Sequence, residues 1–309
     1  MMIIISIVQT LVILALAPLG IGLIRKFKAR LANRVGASVF LPYRSLATLC
    51  RKEMTVTKHA SWVFRAAPFA VLAGALILAA LVPTVSAAGT FSAWGNFFLI
   101  AAVLMLSAIF LVLGGMDTGS AFGGMGSSRE MTIAALTEPA LLIVFIALGA
   151  TTGSWTAAGA LTSMAGTPWF LVHPFLVFVF AAFAMIVLAE GARYPVDNPT
   201  THLELTMVHE AMVLEYSGPY LAMLEYAASV KYLVLAVFLA NLVVPAGVWG
   251  AGSSLLFGAF CFALKLVGVC ALTALLESMV AKMRFYRLQE YFTAAYLLAL
   301  FGLLLSRIF

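Results

Sequence analysis

The sequence predicts an all-α integral membrane protein with about eight transmembrane helices. Hydrophobic residues make up 64% of the 309 residues and charged residues only 10%, as is typical of a chain solvated mainly by lipid. The apolar segments are continuous rather than alternating, so helices are expected, and not the strands of a membrane barrel. A helix needs roughly 20 apolar residues to cross a bilayer. Eight segments meet that need, at 3–24, 66–83, 95–116, 131–150, 169–189, 220–247, 254–279 and 291–306.

The distribution of basic residues predicts the orientation of these helices, because Lys and Arg accumulate in cytoplasmic loops. Alternate loops carry 15 of the 18 basic residues. Both termini are therefore expected on the periplasmic or outer side of the cell inner membrane, and residues 1–309 form one polytopic domain. The predicted cytoplasmic loops are at about 25–65, 117–130, 190–219 and 280–290.

The first cytoplasmic loop contains a short amphipathic segment. After Pro42, a helix would place Leu46, Leu49 and Cys50 on one face and its basic residues elsewhere, as in helices that lie at a membrane interface. Three interpretations stay open for this segment. The segment is anchored at the lipid headgroups, it docks a soluble partner, or it forms the rim of a quinone site.

The second cytoplasmic loop is glycine-rich, with the sequence GMDTGSAFGGMGSSRE from 115 to 130. Since glycine disfavours helix interiors, this segment is expected to be a tight loop packed against a neighbouring protein. Ser127 or Ser128 would then cap a helix that begins near Arg129 and Glu130. A phosphate-binding loop is disfavoured because no P-loop lysine follows.

Charged residues inside predicted membrane helices indicate function, because an unpaired charge at that depth costs about 2.5 to 3.5 kcal/mol or more. Glu138 precedes Pro139 in the fourth segment and Lys265 lies in the middle of the seventh. Both are expected to face the bundle interior or a hydrated cavity, with Glu138 favoured as a proton relay over a structural hydrogen bond. Glu277, nearer the cytoplasmic end, fits either a relay or a snorkelling side chain.

The third cytoplasmic loop holds five of the 12 acidic residues between positions 190 and 215. Pro195 and Pro199 predict an irregular segment around Asp197, with a helix resuming near Thr201. On a continuous helix Glu204 and Glu215 would lie about 20° apart on one face. The loop is predicted to hold a hydrated file of titratable groups, namely Glu190, Asp197, His202, Glu204, His209, Glu210 and Glu215.

The sequence argues against several other functions. The three cysteines form no CxxC or Cys/His pair, and Rossmann and P-loop glycine patterns are absent, so no iron–sulfur cluster, haem, flavin or metal is expected in this chain. The net charge of +6 follows from membrane topology, and no aromatic-interleaved basic patch indicates nucleic acid. Any redox chemistry is assigned to another subunit.

Three long motifs resemble one family. AEGARYPVDNP followed by HLELTMVHEAMVLEYSG resembles the H subunit of respiratory complex I and, more closely, its counterparts in membrane-bound [NiFe] hydrogenases, including formate hydrogenlyase. NRVGASVFLPYRSLATLCRKE at 33–53 is similar to the first-loop pattern of the family, and GMDTGSAFGGMGSSRE to that of the hydrogenase branch. The similarity extends along the whole chain.

This resemblance implies a subunit without redox centres that joins a soluble electron-transfer arm to antiporter-like membrane subunits. The arm would comprise hydrogenase-like large and small subunits with [4Fe-4S] clusters and NiFe. The acids of the third loop would begin the ion path. Basic side chains would attach the arm at Arg34, Arg44, Arg51, Arg129 and Arg193.

Two departures from the complex I pattern bear on the alternative function, a quinone-site-forming subunit of a complex I-like oxidoreductase. Thr200 and His202 occupy positions that are usually acidic in complex I, and Val35 and Ala37 replace the usual glycine and proline of the first-loop motif. These changes favour the hydrogenase branch. A free-standing transporter is disfavoured because the sequence shows no inverted repeat.

Overall fold

The chain folds into a helical bundle, seen here in a computed structural model that describes residues 2–58, 60–165, 172–197, 208–248, 255–280, 283 and 285–308. Seven helices in this part are long and apolar enough to span a membrane, and Leu176–Glu190 is a shorter apolar helix. The predicted all-α membrane fold is thus confirmed. Residues 169–171 of the predicted fifth span lie outside the described residues. The helices are α1 (Met2–Leu31), α2 (Leu41–Arg51), α3 (Trp62–Leu81), α4 (Phe97–Asp117), α5 (Ala121–Thr152), α6 (Ala157–Ala165), α7 (Leu176–Glu190), α8 (His209–Val213), α9 (Gly218–Val243), α10 (Leu255–Met279) and α11 (Phe285–Ile308).

Helix α9 lies at the centre of the bundle. It packs against α1, α2, α3, α7 and α10. In the most apolar 18-residue segment of α9, 67% is buried, compared with 22% in the corresponding segments of α10 and α11. Leu233, Val234 and Phe238 of α9 belong to the main core. Ionisable residues on this helix are therefore held between other helices.

Helix α1 contains Pro18 and remains helical throughout. Proline has no backbone N–H, so the Leu14 carbonyl loses its usual intrahelical donor. The Tyr226 hydroxyl of α9 donates to that carbonyl at 3.0 Å, and the Tyr43 hydroxyl of α2 donates to the Ala15 carbonyl. Both bonds attach α1 to neighbouring helices at the point where its own ladder is interrupted.

The amphipathic helix predicted after Pro42 is confirmed as α2, with Pro42 in its first turn. Pro42 is buried, Leu46 and Leu49 are half-buried, and Arg44 is exposed. Because α2 packs on α9 and α1, its apolar face covers these two helices.

The prediction of a loop at 117–130 is wrong, because α5 begins at Ala121 and runs through Gly123, Gly124 and Gly126. Ser120 caps the helix by accepting from the Gly123 amide. These glycines permit close packing that offsets their poor helix propensity. A Cβ at position 123 would overlap the Gly115 carbonyl oxygen of α4, and one at 126 would lie 2.9 Å from Ala211 Cβ of α8.

Substituting alanine at two neighbouring glycines should separate packing from helix propensity. Gly123→Ala should destabilise the fold by about 1–3 kcal/mol, as overpacking does, because its Cβ would meet the α4 backbone. Gly124→Ala meets no atom within 4 Å and should be neutral or stabilising by up to about 1 kcal/mol. Thermal unfolding of the detergent-solubilised protein measures both, and equal shifts would contradict the packing argument.

Candidate functional site

A cavity of about 180 Å³ lies between α1, α3, α4 and α9, with α2 along one side. Its lining includes apolar side chains, among them Val71 and Leu78 of α3 and Leu104 of α4. It also includes ionisable side chains from α1, α5, α7, α8, α9 and the segment after α7. These are Arg25, Glu130, Glu190, Arg193, Asp197, His209, Glu210, Glu225 and Lys231.

The end of α7 supplies the first ion pair of the cavity. Glu190 is the last residue of α7, and its carboxylate accepts from Lys231 Nζ of α9 at 3.1 Å. Directly after it the backbone turns at Gly191 and at Ala192, which has φ +48°. This turn directs Arg193 back between the helices instead of towards solvent.

Arg193 and Glu277 form a buried ion pair. Arg193 is 5% exposed and Glu277 is 6% exposed, and Arg193 Nη1 lies 3.1 Å from Glu277 Oε1. Lys28 of α1 approaches the other carboxylate oxygen at 3.2 Å, and the Arg193 guanidinium stacks over the Tyr232 ring. Since a buried carboxylate is costly unless paired, two cations stabilise Glu277. This position assigns Arg193 to the interior rather than to the predicted interface with a soluble arm, and Glu277 does not snorkel.

Asp197 connects the segment after α7 to helix α8. Its buried carboxylate accepts from the backbone amides of Val208 at 3.3 Å and His209 at 3.1 Å, which are unsatisfied donors at a helix start. Burial and, to a smaller extent, the nearby Lys231 ammonium lower the pKa of His209 to about 4, while Asp197 opposes the shift. The imidazole is therefore neutral at physiological pH and offers one hydrogen-bond donor and one acceptor.

Four ionisable cavity residues, Arg25, Glu130, Glu225 and Lys231, were not predicted as site residues from the sequence. Glu130 was expected to stabilise a helix start, yet it lies within α5 and lines the cavity beside Glu190 and Lys231. Glu225 and Lys231 lie on the central helix α9. Their signal was present in the sequence, because ionisable residues inside a membrane helix indicate a functional site.

Other predicted relay residues lie away from the cavity. Glu138 is half-buried on α5 and Lys265 is half-buried on α10, and neither lines the cavity. Glu204 and His202 lie outside the described residues.

Glu215 is exposed and does not continue helix α8, which ends at Val213. Glu204 lies outside the described residues, so its predicted alignment with Glu215 on one continuous helix stays a prediction. The next residues are held elsewhere: the Tyr216 ring stacks on Phe64 at 4.0 Å, and Ser217 Oγ accepts from the Thr55 amide at 2.9 Å. Those contacts turn the chain towards α9 and leave the Glu215 carboxylate in solvent.

The remaining basic residues predicted for the soluble arm are accessible. Arg34, Arg44 and Arg51 are exposed, and Arg129 is partly exposed. Arg34 lies in the first loop, Arg44 and Arg51 on α2, and Arg129 on α5.

The fold and the site define an integral membrane protein that encloses paired ionisable side chains between its helices. The chain matches the model of the NADH dehydrogenase family over residues 3–307, and it belongs to that family. It is 29% identical to formate hydrogenlyase subunit 4 of Escherichia coli (strain K12), over 90% of each chain. It is also 29% identical to hydrogenase-4 component C of the same organism, over 80% of this chain and 76% of that one.

A solved structure has the same fold. The membrane-bound sulfane sulfur reductase, an archaeal respiratory membrane complex, contains a chain that superposes with a TM-score of 0.83. The alignment covers 97% of this chain and 99% of that chain at 16% identity. The arrangement of helices is thus shared at low sequence identity.

Removing one member of the buried ion pair should be strongly destabilising. Glu277→Leu leaves Arg193 and Lys28 without their carboxylate and should cost about 3–5 kcal/mol of unfolding free energy. Adding Arg193→Met should restore part of this loss, because one of the two uncompensated charges is removed. Exposed Glu215→Gln is the control and should stay within about 0.5 kcal/mol. A Glu277→Leu variant as stable as this control would contradict the assigned role of the pair.

Proposed function

We propose that this chain is the membrane-anchoring and energy-coupling subunit of a complex I-like membrane-bound [NiFe] hydrogenase of the formate hydrogenlyase type. The observation that carries the proposal is the charged cavity, in which Glu190, Arg193 and Asp197 meet Lys231 of the central membrane helix. The relatives that are hydrogenase subunits support the hydrogenase class. The arrangement suits a protein that passes charge between a surface loop and the membrane interior.

The proposed partners occupy two sides of the chain. Hydrogenase-like large and small subunits, carrying [4Fe-4S] clusters and NiFe, would bind at the cytoplasmic side, where Arg34, Arg44, Arg51 and Arg129 are accessible. Antiporter-like subunits would bind within the cell inner membrane. Both termini of this chain would then face the periplasm.

The proposed mechanism uses the close spacing of the charges in the cavity. Two unit charges 4 Å apart interact by about 4 kcal/mol at an effective dielectric constant of 20. Electron arrival in the soluble arm would change the field at the 191–197 segment and so the proton affinity of Glu190, Asp197 and Glu130. Protonation of Glu190 would release Lys231, and neutral His209 would exchange the proton with the loop. Glu138, Glu204 and Glu210 would extend this path.

A second candidate function is a quinone site. The specific observation in its favour is the mixed lining of the cavity, which combines apolar Val71, Leu78 and Leu104 with polar Glu190 and His209. Such a combination suits an amphipathic ligand with a polar ring and an apolar tail. Quinone-dependent turnover of the intact complex would favour this function.

The composition of the intact complex tests the proposal directly. Purification in mild detergent through a tag on this chain should recover a hydrogenase-type large subunit together with nickel. Mass spectrometry identifies the chains, and elemental analysis measures nickel. Iron–sulfur subunits without nickel would instead favour the quinone function. Recovery of this chain alone would refute both functions.

Neutralising the cavity acids should uncouple the complex without dissociating it. Glu190→Gln removes the counter-charge of Lys231, and ion translocation per electron should fall markedly because the proposed path loses its first acid. Glu130→Gln should act in the same direction. Translocation in proteoliposomes is the measurement, with subunit composition checked by mass spectrometry.

Glu215→Gln provides the matched control for these variants, because it removes an acid from the same loop region outside the cavity. It should leave translocation per electron unchanged. Normal coupling in both Glu190→Gln and Glu130→Gln would refute the proposed ion path through the cavity.

A further inference from the structure

Lys265 lies near the middle of α10, and its ammonium donates to Asn241 Oδ1 of α9 at 2.9 Å. The Asn241 amide nitrogen in turn donates to the Thr84 carbonyl at 2.8 Å. An amide oxygen satisfies one N–H of the ammonium without neutralising its charge, and among the described residues Lys265 forms no ion pair.

The described part of the chain offers no carboxylate to Lys265. In each of the three ion pairs among the described residues the acid is Glu190 or Glu277, and none of these pairs includes Lys265. Residues 249–254, between α9 and α10, lie outside the described residues and include no charged residue in the sequence. Among all the residues outside the described ranges, Glu204 is the only acidic one. Glu204 lies between α7 and α8, the elements that carry Glu190 and His209 at the charged cavity.

The surface beside Lys265 is apolar and open. Helix α10 packs against α1 and α9, and its opposite face exposes Leu264 at 63% and Leu272 at 58%. Gly268 lies between them on this face, and a Cβ placed there would meet no atom within 4 Å. Lys265 is half-buried at the edge of this face, next to buried Leu266.

We infer that the face of α10 formed by Leu264, Lys265, Gly268 and Leu272 docks a transmembrane helix of a neighbouring membrane subunit, and that this helix carries a carboxylate opposite Lys265. Charge complementarity selects this face among the exposed apolar surfaces of the bundle, because a charge inside the bilayer is stabilised only by pairing or hydration. Gly268 permits close approach of the second helix. The inference rests on the proposed function, which requires a membrane partner.

Site-specific photo-cross-linking in the intact complex tests the docking. A photoreactive amino acid at Leu264 should cross-link a polytopic partner subunit, and mass spectrometry should locate the adduct on a helix that contains Asp or Glu. The same amino acid at Met131, an exposed residue of α5, should not give this adduct. Cross-links from Leu264 to lipid alone, in a complex that retains its membrane subunits, would overturn the inference.

Variants of Lys265 separate charge from packing. Lys265→Arg keeps the charge and should retain the partner, whereas Lys265→Met should reduce its co-purification roughly tenfold, the size expected for one interhelical polar contact. Lys265→Glu should reduce it further because two carboxylates would then face each other. Equal recovery in all three variants would refute the pairing.

Variants of Gly268 test the same face without altering charge. The chain itself has room at this position, so Gly268→Leu should fold normally and lose the partner, while Gly268→Ala should retain it. Retention of the partner in Gly268→Leu would overturn the close approach.

Failure of this inference differs from failure of the proposed function. Without a hydrogenase-type subunit or nickel in the wild-type complex, the proposed function fails. If these components are present, but Leu264 cross-links to lipid alone and the three Lys265 variants recover the partner equally, only the docking face is wrong.

Discussion

The buried pair of Arg193 and Glu277 is the interaction on which the arrangement of the cavity depends. It joins the segment after α7 to α10, and Lys28 joins α1 to the same carboxylate. The Arg193 carbonyl accepts from the Asp197 amide at 3.1 Å, and Asp197 accepts from the amide of His209. A continuous series of polar contacts therefore runs from α10 to α8. Because Arg193, Asp197 and Glu277 are buried, loss of one contact leaves an unsatisfied group for the others to accommodate.

Close helix packing is the second constraint, and it determines which backbone can surround the charges. Gly123 and Gly126 bring α5 against α4 and α8, which places Glu130, one turn further along α5, at the cavity. At Gly191 a Cβ would overlap the Tyr232 ring, so the turn that directs Arg193 inwards also requires a glycine. The glycines thus position charged residues that they do not contact.

Much of the fold could be predicted from the sequence because hydropathy reports directly on membrane helices. Helix α2 was also predictable, since Pro42 and the spacing of Leu46 and Leu49 are local signals. The helical conformation of residues 121–130 was not, because glycine propensity is a local property and the compensating contacts with α4 and α8 are tertiary. The inward position of Arg193 could not be predicted from the sequence either. A basic residue in a loop normally indicates a surface, and only the turn at Ala192 shows that it points inwards.

The division of charges within the chain explains why some acids belong to the cavity and others do not. Glu190 and Glu277 form ion pairs with Lys231 and Arg193 of the same chain, so their positions are fixed by folding alone. Glu215 remains in solvent because the two residues after it are held by other contacts. Tyr216 stacks on Phe64, and Ser217 accepts from the Thr55 amide. Proximity in the sequence therefore does not make the acids between 190 and 215 one functional unit.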